Sequence, residues 1–128
     1  MISLELAVLD AGALLVWLGM WPAREQLMLN AALTTTSALD EAVQVRALFH
    51  DGREDEGDAT LAGDLLEIQF AAMLVVPSTG LLGRTAQRWD ERSTSWGLAS
   101  AAALAEQENL PLVTLSGNVD GLTVIRLA

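Results

Sequence analysis

An apolar run that closes on an acid and turns at once into a helix pattern constrains this chain most. Leu4-Glu5-Leu6-Ala7-Val8-Leu9 reads as a buried strand ending at Asp10, and Ala11 to Gly19 follows directly as a short helix. A strand feeding a helix is the first half of a crossover, which returns the chain to lay its next strand parallel to the first. The same alternation recurs downstream. Pro22 suits the first turn of a second helix running to about Ala31. Leu33 to Thr36 is short and β-branched, as a strand should be. Ser37 is placed to cap a third helix from Ala38 to His50, with Glu41 near its start. Asp51 to Asp58 is acidic and glycine-bearing, which predicts an exposed loop with Asp58 capping a helix. That helix carries Leu61, Leu65 and Ile68 on one face.

The second half keeps the pattern. Met73-Leu74-Val75-Val76, ended by Pro77, is a buried parallel strand. Gly80 to Glu91 and Leu98 to Glu108 read as helices, with Asn109 as the stop of the latter. Leu112 to Leu115 and Leu122 to Leu127 read as the last strands. Interleaved strands and helices, without repeat or linker, predict one domain over residues 1–128: a three-layer α/β/α sandwich around a mainly parallel sheet. No apolar run approaches the roughly 18 residues that a membrane span requires, and Ala11 to Met20 lacks the basic flank of a signal peptide. A cytoplasmic protein without membrane contact is the expectation.

Charge narrows the chemistry. Seventeen acids oppose seven basic residues, a formal net charge of -10, and every basic residue is an arginine. Without lysine there is no Schiff-base nucleophile and no phosphate-loop lysine. Without cysteine there is no disulfide, zinc-thiolate site or thiol nucleophile. The acidic balance opposes broad electrostatic binding of nucleic acid. Arg84, Arg88 and Arg92 recur every four residues and so share one helix face, either a solvated stripe or an edge that grips phosphate or a partner.

Several segments together resemble a known family. Val8-Leu9-Asp10-Ala11-Gly12-Ala13-Leu14-Leu15, Thr36-Ser37-Ala38-Leu39-Asp40-Glu41-Ala42, Leu74-Val75-Val76-Pro77, Ser95-Trp96-Gly97-Leu98 and Leu110-Pro111-Leu112-Val113-Thr114-Leu115-Ser116 occur in the order found in PIN domains. They are most similar to the VapC-type toxins of bacterial toxin–antitoxin systems. The resemblance spans nearly the whole chain. It implies a PIN-like fold and a ribonuclease ancestry, with acids at the carboxyl ends of parallel strands. Those acids hold magnesium or manganese, which activates water and offsets charge on the scissile phosphate. It also implies a homodimer and an antitoxin-like protein partner, with RNA as a partner only if activity is retained.

The chain departs from that pattern at the chemistry. Asp10 and Glu41 match the first two family ligands, and are the candidate catalytic and metal residues. Leu98 stands where the third acid is expected and Ser116 where the fourth is. Gly12 replaces the serine or threonine that commonly supports the first aspartate. The reading is therefore a PIN-like domain whose metal-dependent nuclease site is lost or impaired, acting mainly as a binding or oligomerisation module. Magnesium or manganese is bound weakly if at all. The alternative is an active magnesium- or manganese-dependent VapC-type endoribonuclease with substituted ligands, drawn from Asp90, Glu91 or Asp120. Asp10 has a second reading that needs no metal, as the cap of the helix it precedes.

Other residues have plainer readings. His50 is the sole histidine and suits a helix carboxyl end. Trp17, Trp21, Trp89 and Trp96 fit core or interface roles before base stacking. Trp17 and Trp21, one helical turn apart, are candidate anchors of a dimer. The acidic run at 51–58 lacks calcium-loop spacing. A flavodoxin-like nucleotide binder lacks its glycine-rich loop after the first strand.

Overall fold

A computed structural model describes residues 1–19, 21–49, 73–90, 95–115 and 119–128. The element order is β1 (Ile2–Leu9), α1 (Ala11–Trp17), β2 (Leu27–Thr35), α2 (Thr36–Phe49), β3 (Met73–Val76), α3 (Gly80–Asp90), α4 (Trp96–Glu108), β4 (Leu112–Thr114) and β5 (Val124–Arg126). The five strands form one sheet in the order β3-β2-β1-β4-β5. Every pairing in it is parallel. This is the expected α/β sandwich. Its two apolar layers lie on opposite faces of the sheet. One gathers Ala7, Leu9, Leu14, Leu15 and Val113 under α1 and α2. The other gathers Val8, Leu112, Trp89 and the alanine-rich interior of α4.

Alanine explains how α4 enters so deeply. Every residue from Gly97 to Ala105 is buried, and side chains this small let a helix approach the sheet on all sides. Asn109 ends the helix in the left-handed conformation, and its backbone N–H bonds back to the last turn.

The sequence misreads one stretch. Residues 22–31 do not form a helix: Leu27 to Thr35 is a single strand, paired with β1 from Ile2↔Leu27 to Val8↔Leu33. Leucine, methionine and alanine favour helix locally, but the partner strand supplies a full ladder for this run, and tertiary pairing overrides propensity. Helix α1 ends at Trp17 and Trp21 lies outside any helix, so the two do not form a helical stripe. Both pack half-buried against their own core. The helix after β2 starts at Thr36, one residue before the proposed Ser37 cap. Thr35 caps it instead, its Oγ1 accepting from Ala38 N at 3.1 Å. Glu41 therefore falls in the second turn rather than at the start. Strand β1 extends back to Ile2, α1 stops at Trp17, and α4 begins at Trp96. The acidic run 51–58, the Leu61, Leu65 and Ile68 face, and His50 lie outside the described residues. No helix among the described residues is long and apolar enough to cross a membrane.

Candidate functional site

Because the strands are parallel, the residues that follow β1, β2 and β4 come out at one edge of the sheet. That edge carries Asp10, the first turns of α2 with Glu41 in the second, and Thr114 at the end of β4. Register places them side by side. Leu9 pairs with Val113, Asp10 N donates to Val113 O at 3.2 Å, and Thr34 Oγ1 donates to Leu9 O at 2.8 Å.

Asp10 is almost wholly buried, with 8% of its surface exposed. Its Oδ1 accepts from Ala13 N at 2.9 Å, which makes it the N-cap of α1. Its Oδ2 accepts a short hydrogen bond from Thr114 Oγ1. Both carboxylate oxygens are thus already held by the protein. Burial pushes the Asp10 carboxyl above the ordinary aspartate value. The hydrogen bonds from Thr114, Ala13 and Leu115 pull the other way, and the negative charge of Glu41 adds to the rise. The two acids are therefore brought into electrostatic contact at this edge.

Glu41 is half-buried and bound from the other side. Ser95 Oγ donates to its Oε2 at 3.1 Å, while the same Oγ accepts from Leu98 N at 3.1 Å and caps α4. A Cβ on Gly97 would collide with this carboxylate, 2.8 Å from its Cδ and 3.3 Å from Ala38 Cα. Glycine at 97 thus lets Glu41 lie across the start of α4. Beneath it, Thr35 Oγ1 and Ser100 Oγ are 2.6 Å apart and buried, and Ser100 Oγ donates to Gly97 O at 2.9 Å. With that proton committed, Thr35 must donate to Ser100, and the chain of hydroxyls is satisfied throughout.

Leu98, which the family resemblance aligns with a third acid, is 4% exposed and belongs to the apolar layer with Trp89 and Leu112. Ser116 and Glu91 lie outside the described residues. Asp90 ends α3, next to Trp89, whose Nε1 donates to Glu106 Oε2 near the far end of α4 at 2.7 Å. Asp120 is exposed and belongs to the turn that enters β5. A Cβ on its neighbour Gly121 would reach the Trp89 ring, and Thr123 O accepts from Leu112 N where β4 begins. That is the entry of β4, away from the exit where Thr114 meets Asp10. Among the described residues no three acidic or histidine side chains are gathered as a metal ion would require. Two carboxylates, both already accepting protein hydrogen bonds, beside a buried leucine are a poor fit to the metal centre that the family resemblance implies.

Gly12 has a local cause. A Cβ there would stand 2.6 Å from Leu115 Cβ, so a serine or threonine cannot occupy this place without displacing the residue after β4. Sequence reasoning did not single out Thr114 or Ser95 as partners of the two acids. The signal lies in the segments Ser95 to Leu98 and Thr114 to Ser116, where a hydroxyl residue precedes each position at which the resemblance expects an acid.

A solved structure, that of PAE2754 from Pyrobaculum aerophilum, is similar to this chain at 26% identity. Its TM-score is 0.52, over 90% of this chain and 83% of that one. The likeness supports the α/β architecture. No protein-family model matches the sequence, and no curated protein matches it significantly.

Proposed function

We propose that this chain is a PIN-like domain whose metal-dependent nuclease site is lost or impaired, and that it acts by binding or oligomerisation. One observation supports the reading: both oxygens of the buried Asp10 carboxylate accept hydrogen bonds within the fold, and Glu41 accepts another from Ser95. Asp10 ties β1 and α1 to β4 through Thr114. Glu41 ties α2 to α4 through Ser95. Leucine fills the third position. Magnesium can be held by only one or two carboxylates with water completing its shell, so the test begins with the metal. Calorimetry with manganese and with magnesium is expected to show weak or undetectable binding, and single-stranded and structured RNA incubated with manganese should stay intact. Cleavage that disappears in a folded Asp10→Ala variant would overturn the proposal and establish the active endoribonuclease.

The oligomerisation half of the reading is a homodimer at micromolar concentration, with an antitoxin-like protein as a further partner. Trp17 and Trp21 offer only their outer surfaces to such a contact, since both also pack inward. Sedimentation velocity across the micromolar range should show a concentration-dependent dimer. A monomer throughout removes self-association from the proposal.

A further inference from the structure

We draw no further inference here: the strongest candidate, the exposed apolar patch of Leu6 and Leu74 on one face of the sheet, has nothing in the structure to show what covers it.

Discussion

Asp10 is the residue where the two readings of this protein separate. As a metal ligand it would be needed ionised, whereas burial as a cap disfavours its ionised form. Its folded proton affinity lies above the unfolded value because of burial, with Glu41 adding to the effect. The sign of the linkage follows from that direction. The folded chain holds the proton more tightly than the unfolded chain, so this group's stabilising contribution is complete below the ordinary aspartate value of 3.8. It is lost as pH rises through the folded value. Well above pH 3.8 the buried carboxyl therefore disfavours folding. Asparagine keeps the shape, can still accept from Ala13 N, and offers Thr114 Oγ1 a donor in place of an acceptor. Asp10→Asn is expected to keep or raise the melting temperature at pH 8, with the advantage shrinking as the pH is lowered toward 3.8. Thermal denaturation of both proteins over that series decides it. A clear loss of stability in the variant at pH 8 would mean that the hydrogen bonds to the carboxylate outweigh its desolvation.

At the scale of elements, the start of α4 is held by a small set of mutually dependent groups. Ser95 caps the helix and binds Glu41, Glu41 lies over Gly97, and Gly97 O receives the Ser100 hydroxyl. Gly97→Ala places a methyl group against the Glu41 carboxylate and close to Ala38 Cα. The close contact is with the end of the half-buried Glu41 side chain, which can move aside by giving up its Ser95 hydrogen bond at about 0.5–1.5 kcal/mol, although alanine is the better helix former by about 1 kcal/mol. In a Glu41→Ala background the carboxylate is gone and the cost should shrink, giving a coupling energy of about 0.5–1.5 kcal/mol. Chemical denaturation of the two single variants and the double variant measures it. An equal cost in both backgrounds would place the conflict at the Ala38 backbone instead. The same region shows what sequence can reveal. The βα alternation, strand β3 and the Asn109 stop were legible because they rest on local patterns: apolar runs, Pro77 as a terminator, asparagine's tolerance of the left-handed region. Strand β2 was not legible at its beginning, since its partner ladder lies more than twenty residues away in β1. Asp10 and Glu41 could be found as acids at the ends of predicted elements. Their attachment to Thr114 and Ser95 depends on contacts across 104 and 54 residues, which no local window contains.

For the whole molecule, charge sets the balance against a polyanion. The net charge of -10, without a single lysine, repels RNA at long range, and screening by salt weakens that repulsion. The opposing feature is α3, where Arg84 and Arg88 are exposed. Arg92 lies outside the described residues. Arg88 is only loosely engaged, its Nη2 3.9 Å from Glu106 Oε1, and an arginine fork can hold a phosphate through two hydrogen bonds. Two arginines release few counterions, so any affinity they provide should carry a shallow salt slope of about -0.7 per phosphate contacted on a single strand. The expected result is weak binding of single-stranded RNA, read by fluorescence anisotropy at low ionic strength. If binding is measured, Arg88→Ala should reduce it and lower the slope by one contact, while Asp10→Asn should leave the slope almost unchanged because Asp10 is buried behind Thr114. Tight binding with a steep salt slope that survives Arg88→Ala would show a basic surface other than α3 to be responsible, and would remove the electrostatic case against RNA as a partner.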